Sequence, residues 1–110
     1  MNNLALLVKR YVDAANAQDA RAVAACFLSN GTVHDEGSVH RGHASIAAWA
    51  SDTAARYGSR IEPKGELEQD GTGRCMLRAS VSGNFPGSPA MFAFHFVLQA
   101  EGIDSLEITA

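Results

Sequence analysis

Two residues of this chain, Tyr11 and Asp35, carry side chains that together could move a proton next to a carbonyl group. Asp35 lies in a strand-like run at residues 32–36, where it shares a face with Val33 because side chains alternate along a strand. A carboxylate that points inward with Val33 is costly to keep charged, so its pKa rises toward the range of a general acid or base. The phenol of Tyr11 could donate a hydrogen bond to a developing oxyanion.

Each of these residues also has a purely structural interpretation. Asp35 could cap the turn that begins at Gly37, or it could be exposed at the end of a strand. Tyr11 could be a core residue of its helix, with a hydroxyl that finds a backbone partner. The pattern of residues leaves both interpretations open.

The remaining reactive side chains do not form a recognisable site. Cys26 and Cys75 lack the spacing of a metal or redox motif and are predicted to be buried free thiols. His40 and His43 flank a loop-to-helix junction with no further ligand in sight, so no metal site is predicted. His95 alternates away from its phenylalanine neighbours, which indicates a structural or interface histidine on the other side of the sheet.

The composition is that of one globular domain. The chain has 110 residues, of which 46% are hydrophobic and 19% charged, and its net charge is −3. This length supports a core without disulfides, so a single domain over residues 1–110 is expected. The negative net charge does not indicate a nucleic-acid-binding surface. No segment is apolar over enough residues to span a bilayer. The apolar run at residues 4–8 is shorter than a signal-peptide core, so the cytoplasm is the expected location.

The predicted elements place Tyr11 on a helix and Asp35 on a strand. Apolar residues recur three and four positions apart, which predicts a first amphipathic helix over residues 3–17 with Tyr11 on its apolar stripe. Asp19 is a suitable N-cap for a second short helix that ends near Phe27. A strand over residues 32–36, a return strand over 39–42 and a third helix over 43–57 follow.

The second half of the chain predicts four long strands joined by hairpins, at residues 60–69, 74–83, 90–99 and 103–109. Helices that precede antiparallel strands indicate an α+β fold. The expected architecture is a cone-shaped, curved antiparallel sheet with three helices enclosing a small-molecule pocket. The residues predicted to line this pocket, some of which could equally be ordinary core, are Val33, Trp49, Phe92, Phe94 and Phe96.

Three segments of the chain resemble a known superfamily. They are Arg10-Tyr11-Val12-x-Ala14-x-Asn16-Ala17-x-Asp19, then Phe27 with Thr32-Val33-x-Asp35, and then Arg41-Gly42-x-x-x-Ile46 with Trp49. The chain resembles the nuclear transport factor 2-like superfamily, especially its SnoaL-like polyketide cyclase and ketosteroid isomerase branch. The resemblance implies a cone-shaped fold and a homodimer that forms through the outer face of the sheet. It does not choose an activity, because one fold hosts many functions.

The isomerase of that branch suggests roles for individual residues. It uses an inward aspartate base, a tyrosine donor on the first helix and a second, protonated aspartic acid. By resemblance Asp35 matches the base and Tyr11 matches the tyrosine. The second acid would fall near Phe94 and is absent, and Ala50 stands where the branch has a supporting tyrosine.

The expected function is therefore that of a cofactor-independent isomerase or cyclase. Asp35 would act as the general base and Tyr11 as the oxyanion donor, on a small apolar molecule that carries a carbonyl group. The alternative is a non-catalytic ligand-binding or dimerisation module of the same fold, which the missing second acid favours. Epoxide hydrolysis is a weaker alternative, since it needs a clustered Asp-Arg-Asp set that no strand face provides.

Overall fold

A computed structural model describes residues 3–110 of the chain, in which two helices precede the strands of a single sheet and a third helix follows its first two strands. No helix in this range is both long and apolar enough to cross a membrane. The helices are α1 (Asn3–Asn16), α2 (Ala20–Ala25) and α3 (His43–Tyr57). The strands are β1 (Phe27–Asp35), β2 (Ser38–Arg41), β3 (Arg60–Pro63), β4 (Glu68–Gln69), β5 (Arg74–Ser82), β6 (Ala90–Gln99) and β7 (Gly102–Thr109).

The sheet is curved and mixed, with the order β2-β1-β7-β6-β5-β3 and with β4 paired to β5. The predicted α+β class with three helices is confirmed, but the sheet is not wholly antiparallel, because β1 and β7 run parallel. Strands β5, β6 and β7 form an antiparallel meander. Since α3 separates the β1–β2 hairpin from that meander, no tight turn dictates the direction of β1 relative to β7.

Strand β1 is longer than the predicted strand because it contains a bulge. Phe27 pairs with Ile103 and Thr32 pairs with Ser105, so an advance of five residues along β1 corresponds to an advance of two residues along β7. Gly31 makes this bulge feasible: a Cβ atom there would lie 2.9 Å from the Cβ of Phe27 and 3.1 Å from the carbonyl oxygen of Ile103. The Asn30-Gly31 pair, whose residue types are typical of a turn, is therefore a bend inside a continuous strand.

The strand predicted over residues 60–69 is two short strands. Pro63 pairs with Ala79 and Glu68 pairs with Met76, so the edge of the sheet carries two extra residues between β3 and β4. Pro63 has no N–H group to continue the ladder, and Gly65 has a φ of 80° that is incompatible with a regular strand.

The helices cover one face of the sheet, and Asn16 fastens α1 to the edge strand β3. Its side-chain amide donates to the carbonyl oxygen of Ile61 at 2.9 Å and accepts from the backbone N–H of Ile61 at 2.7 Å. The Asp19 side chain caps α2 as predicted, by accepting from the backbone N–H of Ala22 at 3.1 Å. These contacts set the position of α1, and hence of Tyr11, over the sheet.

Candidate active site

A cavity of about 240 Å³ lies between the helices and the inner face of the sheet. Its wall is largely aromatic and aliphatic, and its carboxylates are those of Asp19, Asp35 and Glu36. A dry cavity of about 150 Å³ can hold benzene, so this volume suits a molecule of one or two rings. The aromatic side chains in its wall are Tyr11, Trp49, Tyr57, Phe85, Phe92 and Phe94.

Asp35 ends β1 with its partly buried carboxylate in the wall of this cavity. The indole N–H of Trp49 donates a hydrogen bond to its Oδ2 atom at 3.0 Å. Burial raises the pKa of the Asp35 carboxyl above its ordinary value, and the neighbouring Glu36 carboxylate raises it further. The bond from Trp49 opposes both effects, because it stabilises the charged form.

A tight turn and a helix hold Asp35 in this position. Asp35 pairs with Ser38 across a two-residue turn in which Glu36 has a φ of 52° and Gly37 a φ of 77°. Positive φ values at both positions are the geometry that lets two adjacent strands join directly. Helix α3 packs across this hairpin and presents Trp49 to the carboxylate.

Tyr11 is a buried residue whose hydroxyl faces the cavity. Only 2% of the residue is exposed, and its ring packs against Phe27, Phe94 and Phe96 with centroid distances between 5.7 and 6.4 Å. Within the described part of the chain its hydroxyl has no hydrogen-bond partner, and no polar side-chain atom there is both fully buried and unpartnered. The hydroxyl is therefore accessible from the cavity. Burial, reinforced by the charge of Asp35, raises the pKa of Tyr11 well above its ordinary value, so the phenol stays protonated.

The structure brings five of the seven predicted site residues to the cavity: Tyr11, Asp35, Trp49, Phe92 and Phe94. Val33 and Phe96 lie outside its lining, in the core, where they are 0% and 1% exposed. Each lies two residues further into its strand than Asp35 or Phe94, where the helices and the sheet are in direct contact. Val33 and Phe96 therefore share a face with a cavity residue but lie in the packed core beside the cavity and not in its wall.

Sequence reasoning missed a group of polar residues at the mouth of the cavity. The hydroxyl of Tyr57 donates to Glu36 Oε1 at 2.9 Å, and Arg56 Nη2 donates to Glu36 Oε2 at 3.2 Å. Arg56 Nη1 also donates to the Tyr57 hydroxyl at 2.9 Å. Tyr57 lies eight positions after Trp49 and so on the same face of α3, but the contact between that helix and the turn at Glu36 has no signal in the sequence.

His40 lies beside Trp49 and is a second site residue that the sequence analysis did not include. It pairs with Val33 across the β1–β2 hairpin, and its ring centroid lies 6.2 Å from that of Trp49 at an interplanar angle of 34°. Its proximity lowers the pKa of Asp35, in opposition to burial. Because partners in a ladder share a face, the position of His40 would have followed from the register of the hairpin.

The other histidines and the cysteines are not part of the described lining of the cavity. His95 is exposed on the outer face of the sheet, as its alternation predicts, and its Nε2 lies 3.1 Å from the Thr109 hydroxyl. Cys26 and Cys75 are both free thiols, but only Cys75 is buried. Among residues 3–110 no group of three or more His, Cys, Asp or Glu side chains is arranged to hold a metal ion.

Comparisons with known proteins find a family model and solved structures that are similar to this chain. A family model described as the SnoaL-like domain matches residues 8–103. Among solved structures, a candidate polyketide cyclase from Sinorhizobium meliloti is 34% identical, with a TM-score of 0.87 over 94% of this chain and 93% of its own. No curated protein sequence matches this chain.

Two more distant structures share the fold alone. A protein with a ketosteroid isomerase-like fold from Catenulispora acidiphila, in complex with trimethylamine, is 20% identical, with a TM-score of 0.83 over 94% of this chain and 84% of its own. A candidate polyketide cyclase from Xanthomonas campestris is 18% identical, with a TM-score of 0.79 over 96% of this chain and 87% of its own.

Proposed function

This chain belongs to the SnoaL-like domain family, and we propose that it is a cofactor-independent isomerase or cyclase for a small, largely apolar carbonyl compound. One observation carries the proposal: a carboxyl group with a raised pKa and a phenol without a hydrogen-bond partner among residues 3–110 face the same apolar cavity. A base and an oxyanion donor around an enclosed apolar space are what removal of a proton next to a carbonyl requires.

In the proposed reaction the Asp35 carboxylate removes a proton from the carbon next to the substrate carbonyl. The electron pair moves onto the carbonyl oxygen, and the Tyr11 hydroxyl stabilises the resulting enolate by a hydrogen bond. For isomerisation, Asp35 returns the proton to a different carbon of the conjugated system. For cyclisation, the enolate carbon attacks a second carbonyl of the same molecule, and the new alkoxide takes up the proton.

The cavity narrows the range of substrates. Phe94 provides an apolar ring where a second acidic donor would strengthen the oxyanion site, and one such donor is worth about 10²–10³ in rate. Substrates with an already acidic C–H bond, such as 1,3-dicarbonyl compounds, need this stabilisation least. A volume of about 240 Å³ also favours one- or two-ring molecules over a four-ring steroid.

Exchange of the acidic proton for deuterium tests the chemistry without knowledge of the natural substrate. A small cyclic β-keto ester, which is uncharged at neutral pH, and a β,γ-unsaturated cyclic ketone would be incubated in deuterated buffer and followed by NMR and by the absorbance of the conjugated product. We expect exchange above the buffer rate, reduced about 10²–10⁴-fold in Asp35→Asn and about 10²–10³-fold in Tyr11→Phe. Exchange at the buffer rate with every substrate would refute an enzymatic role for Asp35.

The second candidate function is a ligand-binding module without catalysis. It is favoured by the contact between Phe94 and Tyr11, whose ring centroids lie 6.4 Å apart, because this contact makes that end of the cavity more apolar. This function predicts that the same ketones bind, as detected by a shift of the Trp49 indole N–H resonance, while their exchange stays at the buffer rate. Exchange that is lost in Asp35→Asn would exclude it.

We further propose that the protein is a cytoplasmic homodimer that forms through the outer face of its sheet. The two free thiols support a reducing compartment. Met91, which is 52% exposed, and His95 lie on the outer face and provide apolar and polar contacts for a second copy. Light scattering during gel filtration would test the dimer, and Met91→Lys should convert it to a monomer.

A further inference from the structure

The ionisable side chains that line the cavity are carboxylic acids and phenols. Its carboxylates are those of Asp19, Asp35 and Glu36, and none of the side chains in its described lining is a lysine, arginine or histidine. A ligand that carries a carboxylate or phosphate therefore meets like charges in the cavity wall, and like charges held close together oppose binding. The Tyr11 hydroxyl in the same wall has no partner in the described part of the chain and can donate to an uncharged acceptor such as a ketone oxygen.

The Arg56 guanidinium lies near the mouth of the cavity, and its N–H groups already donate to carboxylates of the protein. Arg56 donates to Glu36 at 3.2 Å and to the Tyr57 hydroxyl at 2.9 Å, and its Nε donates to Asp52 at 3.0 Å. The Tyr57 hydroxyl in turn donates to the second oxygen of Glu36 at 2.9 Å. Arg56 and Tyr57 thus present two donors to one carboxylate, which is how a protein would hold the acid group of a ligand.

We infer that Glu36 determines the charge specificity of the cavity, because it occupies the Arg56 and Tyr57 donors and so selects uncharged ketones and esters over the corresponding free acids. Glu36 and Asp35 are adjacent and both line the cavity, so a substrate whose reacting carbon lies against Asp35 also lies close to Glu36. A free acid could reach Arg56 only by displacing a carboxylate that is tethered beside it at high effective concentration. The inference rests on the proposed use of this cavity as the substrate site.

A matched pair of ligands tests this. Methyl 4-acetylbenzoate and 4-acetylbenzoate share one ring and one ketone and differ in a single negative charge. Their dissociation constants can be measured by NMR from the Trp49 indole N–H, which is the only indole resonance of the protein because the chain has one tryptophan. We expect the wild-type protein to bind the ester at least about tenfold more tightly than the acid.

Two variants separate the role of Glu36 from general surface charge. In Glu36→Gln the donors of Arg56 and Tyr57 become available, so the preference for the ester should disappear or reverse. Asp52→Asn removes an equal charge from the outer side of Arg56, where Asp52 is no part of the cavity wall, and should change the ratio less than about twofold. The indole resonance itself reports that each variant is folded.

Several outcomes would overturn the inference: equal binding of acid and ester by the wild-type protein, an unchanged ratio in Glu36→Gln, or binding of neither ligand. Failure of the proposed chemistry gives a different result. In that case the ester would still bind with the expected preference, and it would lose the preference in Glu36→Gln, while proton exchange next to its ketone stayed at the buffer rate.

Discussion

Replacement of Trp49 by phenylalanine tests the electrostatics of the site most directly. The change removes the N–H donor that lies 3.0 Å from the Asp35 carboxylate and keeps an aromatic ring beside His40. A hydrogen bond to a charged group contributes about 1.5–3 kcal/mol, and the partial exposure of Asp35 indicates the lower end of this range. A loss of about 1.5 kcal/mol corresponds to roughly a tenfold change in an ionisation equilibrium.

The sign of the effect follows from which form of Asp35 the bond stabilises. The indole N–H stabilises the anion, so its loss disfavours ionisation and raises the pKa of Asp35 further. If Asp35 is the base, the acidic limb of the pH–rate profile should move to higher pH in Trp49→Phe. The rate above that limb should change less, because the base is fully ionised there in both proteins.

The assay is proton exchange as a function of pH, together with the carbon-13 shift of the Asp35 carboxyl, which needs no substrate. The charged or titratable neighbours of Asp35 are Glu36, His40, Tyr11 and Tyr57. His40→Gln is the matched comparison: it removes a different effect that lowers the Asp35 pKa, the nearby His40 side chain, and leaves the indole bond intact. An acidic limb that stays in place, or moves to lower pH, in Trp49→Phe would refute the proposed electrostatics.

Three further predictions concern stability. The pKa of Asp35 in the folded protein lies above its ordinary value of 3.8, so ionisation of Asp35 opposes folding once the pH rises from 3.8 through the folded-state pKa. Asp35→Asn should therefore melt at a higher temperature than the wild type at neutral pH, and at the same temperature below pH 3.8. A lower melting temperature of the variant at neutral pH would contradict this. Asn16→Ala should lower the free energy of unfolding in urea by about 1–3 kcal/mol, because it leaves the backbone N–H and C=O of Ile61 without their partner. An unchanged free energy would mean that this contact does not hold α1 on β3. Phe96→Ala should cost about 3–5 kcal/mol by the same measurement, and Phe92→Ala clearly less because Phe92 borders a cavity; equal costs would place both residues in the core.

Local patterns in the sequence were sufficient to predict much of this architecture. The bounds of α3 match the predicted helix, Asp19 caps α2, and the phenylalanines of β6 lie on one face. Each of these features depends on residues only a few positions apart, so periodicity and capping chemistry can indicate them. The same local alternation predicts that Asp35 points inward, as its place in the cavity wall shows.

Features that depend on contacts between distant parts of the chain did not follow from such patterns. The parallel pairing of β1 with β7 joins the first strand to the last, and the bulge around Gly31 is defined only by the strand beside it. Periodicity assigns a residue to a face but not to a depth, so it could not separate Val33 and Phe96 from the cavity wall.

The sequence by itself determined the three helices, the order of the long strands and the faces of their elements on which Tyr11 and Asp35 lie, because these depend on local spacing. Only the tertiary structure decided how those groups are surrounded. Trp49 reaches Asp35 from 14 positions away, and Tyr57 reaches Glu36 from 21. Such contacts arise when helices and strands pack, and packing joins residues whose separation along the chain contains no periodic signal.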